Sequence, residues 1–134
     1  MLATSEAVGL EMIRLSALMA IAVGALIGVA QIARNYDNWE NWPTWMIDEL
    51  AAAVLIVAGL LALRKRMTRL LLVAWSFACG LYMAGAVSHW KGMGGATGEM
   101  YVSESRLLLI VAALVVVCLV GLAMAFFSRK PAGQ

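Results

Sequence analysis

Asp48, Glu49 and His89 are the residues of this chain whose types suit chemistry: two adjacent carboxylates and the one imidazole in the sequence. Carboxylates and imidazole are acceptable ligands for several divalent ions. An imidazole changes charge close to neutral pH, so with a carboxylate it can pass a proton or hold a polar head group such as that of a quinone. The spacing limits these options. A single histidine without a regularly spaced partner makes no metal motif, so no resident metal or cofactor is expected, and ligation of haem by two histidines is excluded within one chain. No nucleophile stands beside His89 in sequence, and no pair of acids has a soluble cleft around it, so no catalytic set is legible and an enzyme is not the expected class. Cys79 and Cys118 each fall near the centre of an apolar run, outside any ligand-spaced pattern, and a thiol in apolar surroundings is a poor thiolate. They are expected to be packing residues.

The elements that must position these groups follow from composition. The chain has 134 residues, 63% hydrophobic and 13% charged, with a mean hydropathy of +0.88. It is far more apolar and less charged than a soluble domain of its size. A single membrane domain over residues 1–134 is expected, and the net charge of +2 gives no reason to expect a nucleic-acid partner.

Charges act as fence posts around four apolar segments. The first, about Leu15 to Ala33 between Arg14 and Arg34, is long enough to cross a hydrocarbon core of about 30 Å. Thr4 and Ser5 suit a helix cap, with Glu6 in the first turn. The acidic residues near the start argue against a cleaved leader, so this segment is expected to be retained. The second run, Leu50 to Leu63, would be only about 21 Å long as a helix, too short to cross. Arg64, Lys65 and Arg66 fix its lower end, so it must extend upward through Trp45, which draws Asp48 and Glu49 below the outer boundary. Pro43 suits the first turn and Thr44 its cap. The third segment, Leu70 to Ser88, carries Trp75, Cys79, Tyr82, Ala86 and His89 on one helical face, a core seam on which a quinone or another flat ligand could also stack. The glycine-rich stretch Gly92–Gly98 reads as a flexible outer loop and fails as a nucleotide motif. Ser103 or Ser105 is expected to cap the last helix, with Arg106 at its outer end.

The expectation is an all-α membrane protein of four transmembrane helices, over about residues 6–34, 44–64, 68–90 and 105–128, in an up-down-up-down bundle. Seven of the ten basic residues (Arg14, Arg64, Lys65, Arg66, Arg69, Arg129 and Lys130) then share one side against Arg34, Lys91 and Arg106. By the positive-inside rule both termini are cytoplasmic, and the expected location is a bacterial cytoplasmic (inner) membrane. Gly24 and Gly28, with Gly121 on the last segment, supply small residues for close helix packing, either within the bundle or between copies of the chain.

This topology gathers Arg34, Asp48, Glu49, His89 and Arg106 at one outer level. The structural expectation is that the two acids neutralise Arg34 and Arg106 and lock the helix ends together. Above them Tyr36, Trp39, Trp42 and Trp45, joined by Trp90, make either an interfacial aromatic belt or a docking surface. With no charge near the middle of any segment, a coupled transport path lacks its carboxylate. The leading expectation is therefore a small accessory or interaction subunit that docks onto a larger membrane complex, or onto its own copies, through the tryptophan-rich loop. The alternative is a ligand-handling membrane protein that uses the Asp48, Glu49 and His89 level for a quinone, a metal or a small solute.

Overall fold

The computed structural model describes the backbone of residues 2–37, 40, 42–65 and 67–128. Trp39, Arg66, Arg129 and Lys130 lie outside the described residues, as do the side chains of Thr4, Ser5, Glu6, Pro43 and Thr44. The chain is all-helical: α1 spans Leu2–Asn35, α2 Trp42–Lys65, α3 Thr68–Met93 and α4 Glu99–Phe127. All four are long and apolar enough to cross a membrane. Their outward faces are what lipid would solvate: Leu26, Val29, Leu109, Ile110 and Phe127 are each more than half exposed.

The helices run past the apolar segments that announce them. A charge ends a hydrophobic run but not a helix, because water can solvate polar side chains on a helix that still satisfies its own backbone. Accordingly α3 continues through His89, Trp90 and Lys91 to Met93, leaving only residues 94–98 as the connection to α4. Within it Gly98 takes φ +61° and begins α4, a left-handed conformation that glycine adopts without cost. Neither Ser103 nor Ser105 is therefore a cap. Both lie inside α4, and the Ser105 hydroxyl donates back to the Val102 carbonyl at 2.9 Å.

Residue contacts fix how the helices meet. A Cβ added at Gly24 on α1 would lie 2.7 Å from the Ala52 carbonyl oxygen on α2, and one added at Gly59 on α2 would lie 2.7 Å from the Ala17 carbonyl oxygen on α1. The two glycines interlock an antiparallel pair whose backbones almost touch, with Ala17, Ala20, Ala52 and Ala62 buried along the seam. Small residues are the usual means of such approach in lipid, where packing replaces the hydrophobic drive. On the other hairpin Gly121 of α4 lies under the indole of Trp75 on α3, which a methyl group there would overlap. The buried faces of α3 (Leu71, Ala74, Trp75, Ala78 and Tyr82) and of α4 (Val115, Cys118, Gly121 and Ala125) close the core.

One buried relay ties three helices together in the half of the bundle nearer the 66–67 connection. The Trp75 Nε1–H donates to the Ser16 hydroxyl at 3.0 Å, and that hydroxyl donates to the Gly121 carbonyl at 2.9 Å. Trp75 and Ser16 are both fully buried, and an indole N–H in apolar surroundings needs such a partner. Ser16 thus converts the tryptophan from a packing residue into a clasp between α1, α3 and α4.

Candidate functional site

The polar groups collect at the opposite end, where the 36–41 and 94–98 connections lie, and they divide into two clusters. On the α1–α2 hairpin the Gln31 side-chain amide donates to Asp48 Oδ2 at 2.7 Å. The Asn35 amide in turn donates to the Gln31 side-chain and backbone oxygens, each at 2.9 Å. Asn35 and Gln31 are one helical turn apart on one face of α1, so the first orients the second toward α2. Asp48 is thereby held by one neutral amide donor, which Asn35 orients.

Glu49, the next residue, turns toward Gly28. The position of a Gly28 Cβ lies 3.4 Å from Glu49 Oε2, so the absence of a side chain lets the carboxylate rest against α1. Its other oxygen, Oε1, is buried and has no hydrogen-bond partner. The Tyr82 hydroxyl on α3 is in the same state, on a residue only 6% exposed. Asp48 and Glu49 both act electrostatically on Tyr82, and no hydrogen bond joins the phenol to either carboxylate. A buried polar atom without a partner costs about 1–3 kcal/mol, and more when it is charged. Two such atoms on adjacent helices mark the one centre among the described residues where the protein's own groups leave carboxylate and phenol valences open.

On the other hairpin His89 Nδ1 donates to Glu104 Oε2 at 2.7 Å, with both side chains about a quarter exposed. Gly92 makes room for this pair: a Cβ there would lie 3.4 Å from Glu104 Oε2. The pair fastens the last turns of α3 to the first turns of α4, next to the loop.

The expected outer level is therefore split. His89 is engaged by Glu104 rather than by Asp48 or Glu49, and among the described residues no group of three metal-ligating side chains forms. Arg34 is exposed and acts on Asp48 electrostatically, without a contact within 4.0 Å. Arg106 is exposed on an open groove with Gly98, Glu99, Val102 and Ser103. The expected locking of Asp48 and Glu49 onto Arg34 and Arg106 is absent among the described residues: Asp48 accepts from Gln31 instead, and both arginines stay exposed, where water solvates them. The aromatics divide as well. Tyr36, Trp42 and Trp90 are exposed, whereas Trp45 is half-buried one helical turn above Glu49. Cys79 and Cys118 are free thiols packed in the same core.

Comparison with known protein families, curated proteins and solved structures finds no match for this chain.

Gln31, Glu104 and Tyr82 carry this geometry, and two of them escape a reading that uses charges only as boundaries. Gln31 is a neutral amide inside an apolar run, and Glu104 is masked by the neighbouring serines and Arg106. A usable signal exists in the pairing rule of antiparallel hairpins: Gln31 and Asp48, like His89 and Glu104, stand at nearly equal distances on either side of their connection. Tyr82 is legible as a face residue, but not as one whose hydroxyl is left open.

Proposed function

We propose that this chain is an integral-membrane protein that binds a small polar ligand between α1, α2 and α3, at the centre formed by Asp48, Glu49 and Tyr82. The observation that carries this reading is the pair of buried, unpartnered oxygens, Glu49 Oε1 and the Tyr82 hydroxyl. Ionisable groups at membrane depth are costly and are retained where they do something. An ion-pair lock would have consumed these valences, and the neighbouring side chains do not. Supporting an up-down-up-down passage with both termini cytoplasmic is the charge bias of the connections, with the basic 64–69 turn at one end and the acidic 36–49 stretch at the other. On that orientation the centre lies in the outer leaflet of a cytoplasmic membrane.

The test is purification in native-lipid particles followed by mass spectrometry of the small molecules retained. A solute that co-purifies with the wild-type chain and is lost from a folded Asp48→Asn/Glu49→Gln double variant supports the reading. Unfolding of that variant to the same extent as ligand loss would make the carboxylates structural.

A second reading, the accessory subunit that docks through its loop end, draws on one specific observation. Tyr36, Trp42, Trp90 and Tyr101 are 66%, 49%, 67% and 46% exposed at this same end, and exposed aromatics are the residues that dominate binding hot spots. A partner chain retained by the wild type and released by Trp42→Ala/Trp90→Ala would favour this reading over an aromatic belt.

A further inference from the structure

We infer that the ligand of the Asp48–Glu49–Tyr82 centre is a small monovalent cation, either an alkali ion or a compact ammonium, held between Glu49 Oε1 and the Tyr82 hydroxyl oxygen. The inference rests on the ligand-site reading above and adds the sign and charge of what is bound.

The chemistry of the open atoms sets the sign. An ionised carboxylate only accepts, and a phenol hydroxyl offers two lone pairs beside its single proton. Neither atom has a donor among the residues around it. The two are not hydrogen-bonded to each other either, so the Tyr82 proton does not already satisfy Glu49. A hard cation seeks this kind of all-oxygen surrounding.

The charge count sets the valence. The open carboxylate oxygen belongs to Glu49, which brings one negative charge to the centre, whereas Asp48 is met by an uncharged amide. The cation that acts on Asp48 is Arg34, one turn beyond Gln31 and exposed. One unit of negative charge is left facing a tyrosine that is itself 6% exposed. In low dielectric an uncompensated charge is far costlier than in water, and one monovalent cation restores neutrality where a divalent ion would overshoot. His89 does not contribute, because its Nδ1 is engaged with Glu104 on the far hairpin.

Local packing holds the carboxylate in place. Gly28 seats the second oxygen of Glu49 against α1, which fixes the carboxylate from behind. Trp45, four residues before Glu49 on α2, shares its helical face and is half-buried.

The experiment uses the full chain in nanodiscs at pH 8, with N-methylglucamine chloride replaced stepwise by sodium, potassium or methylammonium chloride at constant ionic strength. The readouts are the thermal midpoint by circular dichroism and intrinsic tryptophan fluorescence. At least one of the three cations is expected to raise the wild-type midpoint progressively, by an amount that grows with the logarithm of its concentration once the site fills. A ligand that binds only the folded state stabilises it by RT ln(1 + L/Kd), where L is the free ligand concentration. Glu49→Gln and Tyr82→Phe are each expected to weaken that cation at least tenfold. Tyr82→Phe carries a second signature. With its open hydroxyl removed it should be more stable than wild type in N-methylglucamine and lose that advantage at saturating cation. This crossing remains readable if Glu49→Gln fails to fold.

The inference is overturned if no cation raises the wild-type midpoint above N-methylglucamine, which would leave only water at the two oxygens. It is overturned equally if the cation effect persists undiminished in folded Tyr82→Phe. Should all three cations fail while a co-purifying solute still depends on Glu49, the cation falls and the ligand site stands. Loss of both dependences removes the site as well.

Discussion

Gly59→Ala tests one of the two points where the α1 and α2 backbones almost touch. The added Cβ would sit 2.7 Å from the Ala17 carbonyl oxygen and 2.7 Å from Ile21 Cγ1, whereas ordinary contact begins near 3.4 Å. The Ile21 methylene can rotate away, but the carbonyl belongs to the α1 backbone and cannot. Restoring ordinary contact therefore requires the helices to part by about 0.7 Å at this point, and overpacking of this kind costs about 1–3 kcal/mol. Set against it is the helix propensity gained on replacing glycine, up to about 1 kcal/mol. Gly80→Ala measures that gain alone, because nothing lies within 4 Å of a Cβ there. The assay is reversible unfolding in mixed micelles with increasing denaturing detergent, followed by circular dichroism. Gly59→Ala should be less stable than wild type, and Gly80→Ala equal or more stable. Gly24→Ala should resemble Gly59→Ala, since its Cβ meets the Ala52 carbonyl oxygen at 2.7 Å. Because both substitutions push apart the same two rigid helices, the double variant should lose less than the sum of the singles, by a coupling of roughly 0.5–3 kcal/mol. Strict additivity, or a Gly59→Ala as stable as Gly80→Ala, would refute the interlocked seam.

Ser16→Ala strips the acceptor from the buried Trp75 N–H and should destabilise by about 1–3 kcal/mol; in a Trp75→Phe background the same change should cost only about 1 kcal/mol, the net worth of one neutral hydrogen bond. Glu104→Leu unfastens His89, so the amides of residues 94–98 and of the last turn of α3 should exchange hydrogen up to about fivefold faster, as befits a partly exposed pair worth no more than about 1 kcal/mol; unchanged exchange there would deny the pair its role as a clasp. In a Cys79→Ala/Cys118→Ala background, single cysteines at Glu40 and Thr97 should react with an impermeant thiol reagent from outside intact cells, and one at Met67 only after lysis. The opposite pattern would invert the proposed orientation.

The four helices were legible because hydropathy and charge act locally: an apolar run near the thickness of a bilayer has no other stable conformation in lipid. The aromatic face of α3 was legible for the same reason, since helical periodicity alone places Trp75 and Tyr82 together. The ends were not, and α4 begins at Glu99 rather than near the serines because the Gly98 turn, not the onset of hydrophobicity, starts it. Of the candidate site, helix-length arithmetic picks out Asp48 and Glu49, but it places them with His89 at a common level and stops there.

Depth along a helix is a one-dimensional property, and the sequence by itself determined it: which groups lie near the loop end, and that two carboxylates are drawn inward. Which of those groups touch is set by azimuth, by the near-contact of α1 and α2 at Gly24 and Gly59, and by the reach of each side chain. Only the tertiary structure decided that Asp48 takes Gln31, that His89 takes Glu104, and that Glu49 and Tyr82 are each left with a buried oxygen without a partner. An unfilled valence is a property of everything around an atom, and no local reading of the chain contains it.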